Sequence, residues 1–241
     1  MREISVQSFD TVYYTNYYSL LHVQKIRKKY EQLSAFEHML IAHNIVPIQS
    51  IDTSIKIDLK YAGKDNFWNT NFYTTHNCAY LEYETALKLR KVQQLVWKID
   101  SSFSLLVYDA LRPYCVQVDM WNQCSLSGIQ KRNFLASPKH KSLHNYGLAV
   151  DVTLCRDGKA LDMGTHFDVP GRASCTYNED KLVNVGTLSK QQVQNRRILR
   201  RAMKDAGFIP NKYEWWHFSS EYRENLNQFP YVHCFDSIGN Q

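Results

Sequence analysis

Apolar residues along this chain fall into two spacings. One recurs every three to four residues, at Ile26, Tyr30, Leu33, Phe36 and Leu40, and again at Ala86, Leu89, Val92, Val96 and Ile99. A stripe at that interval covers one helical face, so helices are predicted over residues 20–43 and about 86–99. A third is predicted over residues 114–123, and a fourth over 189–206. The fourth opens on a Ser189/Gln192 capping box and stops at Gly207, where a left-handed residue ends helices well. The other spacing is alternating or continuous. Ile55-Lys-Ile57-Asp-Leu59 reads as an edge strand or extended segment within residues 51–61, 105–108 as a short buried strand, 148–154 as a β-rich stretch and 214–218 as an aromatic-rich strand. Residues 125–141 and 164–187 are interrupted by Gly and Pro and read as irregular. Helices and strands alternate without repeats, which predicts an α+β fold with a small, mostly antiparallel sheet.

Composition narrows the function classes. At 241 residues the chain is long enough to bury a core without disulfides. Its net charge of +6, from 29 basic and 23 acidic residues, is too diffuse to indicate nucleic acid. The densest cluster, Lys25 to Lys29, reads as the solvated face of a helix. No run approaches the roughly 20 apolar residues of a membrane span. The first residues lack a secretory pattern, so a cytoplasmic protein is expected, or a periplasmic or secreted one had a leader been removed. The six cysteines form no C-x-x-C pair. They are expected to be reduced and mostly buried.

Candidate chemistry centres on Ser142-Leu-His144-Asn-Tyr-Gly147-Leu-Ala-Val-Asp151. A catalytic zinc site needs three protein ligands and one open position, and nitrogen from His and oxygen from Asp are suitable donors. His144 and Asp151 supply two. His144 is preferred over His140 because Gly147 fits a chain turning from loop into strand. Glu214-Trp-Trp-His217 offers a third ligand, His217, and a general base, Glu214. On a regular strand these two would face opposite ways, so a bend is required between them. Each piece alone has a plainer reading: a buried Asp capping a turn, or a structural His beside core tryptophans. Arg112, at the end of a strand, either stabilises an oxyanion or pairs with Asp109. Asp168 is a loop carboxylate suited to a substrate ammonium. The hydroxyls of Tyr61 and Ser142 are weak candidates for orienting a ligand. Phe67, Trp68, Phe72 and Tyr73 either pin their polar loop or line a pocket.

Together with Ile57-Asp-Leu-Lys-Tyr-Ala62, Tyr108-Asp-Ala-Leu-Arg-Pro113, Phe167-Asp168 and Gln194-Asn-Arg-Arg197, these motifs resemble the VanX-type D-alanyl-D-alanine dipeptidases of the M15 zinc peptidases. The resemblance runs from about residue 51 to 236. It implies helices flanking a sheet that carries the metal, with one Zn2+ per chain on His144, Asp151 and His217. It further implies Glu214 as base, Arg112 at the transition state, and Tyr61, Ser142 and Asp168 around a small dipeptide. Residues 49–241 would then be the dipeptidase domain, and 1–48 a helical extension able to serve as a homo-oligomer or docking element. Two departures stand out: a shorter segment between Pro113 and Ser142, and a longer helical stretch before residue 49. A D,D-carboxypeptidase or peptidoglycan endopeptidase on the same scaffold is the alternative enzyme. A non-catalytic zinc-binding interaction domain is the alternative of another class.

Overall fold

The computed structural model describes residues 33–74 and 76–239. The chain divides into two compact units, residues 1–38 and 39–241. Most of the helix predicted over 20–43 lies outside the described residues. Its described part begins only at Ala35, where the Ser34 hydroxyl and the Glu37 carboxylate exchange bonds with each other's backbone N–H. That capping box starts the helix α1 (Ala35–Ala42), so residues 33 and 34 of the predicted span are not helical.

In chain order there follow β1 (Ile45–Pro47), the single turn α2 (Ile48–Ile51), β2 (Lys56–Ile57), β3 (Tyr80–Glu82), α3 (Tyr83–Ile99), β4 (Phe103–Asp109), α4 (Tyr114–Gln123) and α5 (Gly128–Phe134). The second half holds β5 (Ala149–Arg156), β6 (Lys159–Ala160), α6 (Glu179–Asn184), α7 (Lys190–Asp205), β7 (Ile209–Pro210), β8 (His217–Ser219), β9 (Tyr231–Cys234) and β10 (Ser237–Gly239). The α+β class read from the sequence holds. The main sheet runs β2-β4-β5-β8-β7, with β6 also paired to β5. Only the β2–β4 pairing is parallel. The predicted stripe of α3 is buried through Ala86, Leu89, Val92 and Val96, but its last member, Ile99, is exposed where the helix ends. These side chains share one core with Leu199, Ala202 and Met203 of α7 and with β4 and β5.

Several expectations are corrected. Residues 125–141 are not a plain loop but hold α5 and a 3-10 turn (Pro138–His140), because Lys131 and Leu135 find helical carbonyl partners. Residues 164–187 hold α6 as well as irregular chain. The strand expected over 214–218 covers only His217–Ser219, because the chain turns at 214–217 with the His217 N–H directed at the Glu214 carbonyl. The cysteines are not all reduced: Cys115 of α4 is bonded to Cys234 of β9, with Cα atoms 5.4 Å apart. Cys124, Cys155 and Cys175 are buried free thiols, and Cys78 is exposed. Among the described residues no helix is long and apolar enough to cross a membrane.

Candidate active site

β5 is the spine of the site. Its Asp151 stands opposite His217 of β8 in an antiparallel register and opposite Asp109 of β4 across an irregularity in the ladder. Residues directly opposite on neighbouring strands point the same way, so pairing alone brings Asp151 and His217 together. His144 comes from outside the sheet, on a 3-10 turn (Leu143–Tyr146) capped by Ser142 and Asn145. Gly147 ends that turn at φ 69°, and a Cβ there would lie 2.7 Å from the Glu82 backbone nitrogen. Only glycine fits both the backbone angle and the gap.

Three donor atoms converge. His144 Nε2 lies 3.1 Å from His217 Nδ1 and 3.4 Å from Asp151 Oδ1, and His217 Nδ1 lies 2.9 Å from Asp151 Oδ1. Ligand atoms about 2.0–2.1 Å from a tetrahedral zinc would be roughly 3.3 Å apart, so the triangle has the size of such a site. The proton count agrees. His144 Nδ1 is 2.6 Å from the Ala110 carbonyl, which can only accept, so Nδ1 donates to it and the neutral ring keeps its lone pair at Nε2. That lone pair faces a buried carboxylate, an arrangement a cation in the middle would stabilise. Burial alone would raise the Asp151 pKa, but positive charge at His144 and His217 outweighs it and holds the carboxyl well below the usual range, a charge that a cation between neutral imidazoles would supply instead. His140, the alternative nitrogen ligand, is exposed and outside the cluster.

Arg112 is 5% exposed and pairs with Asp109, the plainer of the two readings given to it. Its Nε and Nη2 donate to Asp109 Oδ2 at 2.9 and 2.6 Å, and Nη1 donates to Gln117. Nη2 also lies 3.6 Å from Asp151 Oδ2, so the guanidinium borders the cluster. Its backbone is tied to the His144 turn in both directions, through its N–H and the side chain of Asn145. Tyr73 donates to the other oxygen of Asp109. Burial disfavours the Arg112 charge, but Asp109 and its neighbours overcome that and raise its pKa further.

The bend at 214–217 turns Glu214 towards the same cavity as His217, as the strand geometry required. Asn211 Nδ2 donates to Glu214 Oε2 at 2.9 Å, which leaves Oε1 open. Burial, and then the carboxylates of Asp151 and Asp168, push the Glu214 pKa well above its ordinary value. Asp168 accepts from the Tyr61 hydroxyl at 2.9 Å and from the Phe67 N–H at 3.3 Å, and burial pushes its pKa up to about 7. The Ser142 hydroxyl accepts from the His144 N–H, so its own proton remains for a ligand. The aromatic loop does both things the sequence allowed. Tyr73 packs in the core and buttresses Asp109, while Trp68 reaches the cavity wall.

Tyr61, Arg112, Ser142, His144, Asp151, Asp168, Glu214 and His217 all line one cavity of about 270 Å³. Sequence reading missed Asn211 and Gln117, which hold the principal side chains, the bond from Tyr73 to Asp109, and Arg132 and Arg223 at the rim. A predicted loop gave no reason to single out Arg132, and the helical face of α5 is what brings it there.

Comparison with known proteins now bears on the chemistry. The M15 peptidase family described as D-ala-D-ala dipeptidase matches residues 41–234. The chain belongs to that family. Relatives of this M15 peptidase include the D-alanyl-D-alanine dipeptidase of Escherichia coli strain K12, 31% identical over 82% of this chain and 95% of the relative. The protein of that name from Enterococcus faecium is 28% identical over 71% of this chain and 88% of its own. That from Synechocystis is 33% identical over 50% and 61%. The chain is therefore a peptidase, which removes the reading as a non-catalytic interaction domain.

Proposed function

We propose that this M15 peptidase hydrolyses D-alanyl-D-alanine with one zinc ion held by His144 Nε2, His217 Nδ1 and Asp151 Oδ1. The observation that carries the metal is the bare His144 lone pair facing a buried carboxylate within a triangle of zinc-site dimensions. When bound, zinc supplies Lewis acidity at the scissile carbonyl and lowers the pKa of the attacking water. In this reading Glu214 Oε1 takes the proton from that water and delivers it to the leaving amine, while Asn211 holds Oε2 in place. The cation would also draw the Glu214 pKa back down, because part of the rise comes from Asp151. Arg112, braced by Asp109, would stabilise the oxyanion, and Asp168 would pair with the free amine of the substrate. Tyr61 orients Asp168, and Ser142 donates to the dipeptide backbone.

The dipeptidase domain proposed here begins before residue 49, because Ile45–Pro47 pairs with Tyr80–Glu82 and the second compact unit starts at residue 39. One observation favours the carboxypeptidase or endopeptidase reading. A second cavity of about 260 Å³ adjoins the first along Asn133, Phe134, Tyr213 and Glu214 and offers room for a longer peptide. Amine release from D-Ala-D-Ala, from L-Ala-L-Ala and from an N-acylated D-Ala-D-Ala peptide, with and without chelator, separates these readings. Cleavage of the free D,D-dipeptide alone, abolished by chelator and restored by zinc, is expected. Cleavage of the acylated peptide at a similar rate would favour the open groove, and chelator-resistant turnover would sink the zinc assignment.

A further inference from the structure

The cavity is electrically lopsided. Asp151, Asp168 and Glu214 line its interior, and the one interior arginine, Arg112, is already bonded to Asp109 and Gln117. Its rim is cationic. Between Asp119 and Asp151 the chain carries Lys131, Arg132, Lys139 and Lys141 and no acidic residue. Two of the cavity-lining residues from the rim are exposed arginines: Arg132 on α5, and Arg223 on the 3-10 turn (Arg223–Gln228). Among the described residues the Arg132 guanidinium has no hydrogen-bond or ion-pair partner. Arg223 Nη2 is anchored on the carbonyls of His140 and Lys141, which leaves Nη1 and Nε without a described partner.

A dipeptide zwitterion has one cationic and one anionic end. With the proposed zinc bound, its two positive charges still fall one short of the three interior carboxylates, so the interior favours the ammonium, and a guanidinium is the group best shaped to receive the carboxylate. We infer that Arg132 and Arg223 form a rim clamp that reads the free carboxylate of the substrate. The clamp would make the enzyme specific for peptides with an unblocked C-terminus and orient them amine-inward. The inference rests on the dipeptide reading above but concerns binding, so it is testable apart from turnover.

The experiment uses the full chain carrying Glu214→Gln, loaded with zinc, and measures binding of D-Ala-D-Ala and of its C-terminal amide by calorimetry. Charge-assisted bonds to a carboxylate predict that the acid binds at least about tenfold more tightly than the amide. Adding Arg132→Ala with Arg223→Ala should bring the acid to the affinity of the amide and leave the amide unchanged. Arg132→Lys with Arg223→Lys should restore part of the preference, since charge is kept but the fork is lost. Both positions are exposed, so the fold is expected to survive these changes, which a melting curve checks. A double alanine variant that still prefers the acid, or a parent protein that binds acid and amide alike, overturns the clamp. Preference for the acid without any D,D-dipeptide turnover by the unmutated enzyme would instead sink the dipeptidase reading and leave the clamp standing.

Discussion

At the scale of single residues, two carboxyls with raised pKa values are proposed to serve opposite purposes. Glu214 has one oxygen held by Asn211 and one open, the arrangement of a proton carrier. Glu214→Ala is expected to lower kcat by at least about 10²–10⁴, the usual contribution of a general base. Metal analysis should still find one zinc per chain, and loss of zinc would make Glu214 a ligand instead. Asp168 is proposed to act only as an anion. Buried at a pKa of about 7, against an ordinary 3.8, it keeps a proton in the folded chain that the unfolded chain has released. Between those two values this group makes stability fall as pH rises, while its affinity for an ammonium grows. KM for the dipeptide should therefore rise as pH drops below about 7. Asp168→Asn should raise KM above about pH 7, approach the parent where Asp168 is protonated, and so flatten that limb, and an unchanged profile would remove Asp168 from amine binding.

At the scale of elements, the site depends on two short irregular pieces fastened to the sheet. The 3-10 turn carrying His144 approaches β3 so closely at Gly147 that a side chain would strike backbone. Gly147→Ala adds that collision to an unfavourable φ. A loss of about 1–3 kcal/mol is expected, read as a fall of roughly 2–10 °C in Tm. A variant as stable as the parent would mean that the turn is looser than its contacts indicate. The loop carrying Asp168 is fastened by the otherwise unexplained Gln194-Asn-Arg-Arg197 motif of α7. Asn195 donates to the Asp162 carbonyl, and buried Arg196 donates to the carbonyls of Met163 and Ala173 on either side of Asp168. Arg196→Met should raise KM several-fold and lower Tm while one zinc per chain is retained. Zinc loss would instead tie α7 to the metal ligands.

At the scale of the whole molecule, Cys115–Cys234 joins α4 to the C-terminal hairpin and closes a loop with a sequence separation of 119 residues. α4 also supplies Gln117, so the bond secures the helix that steadies Arg112. Such a bond persists in an oxidising setting and is reduced in the cytosol, so its state reports the compartment. Thiol titration of protein unfolded without reductant should count the four thiols of Cys78, Cys124, Cys155 and Cys175. Six would show that the pair is reduced as the protein is made.

The sequence by itself determined the α+β class, the stripe of α3, the capped start of α7 and the principal side chains that meet in the cavity. Those signals are local: a helical period, a capping box or a metal donor type is legible within a few residues. Even the need for a bend between Glu214 and His217 could be deduced, because strand geometry forbids them one face otherwise. Tertiary structure decided the rest. That His144 offers Nε2 follows from the Ala110 carbonyl, 34 residues away in sequence. That Arg112 is both salt-bridged and beside the cluster follows from β4 lying against β5. The disulfide, the helix hidden in residues 125–141 and the arginines at the rim depend on long-range packing. No spacing along a chain encodes which distant backbone atoms will be within bonding distance once the core has formed.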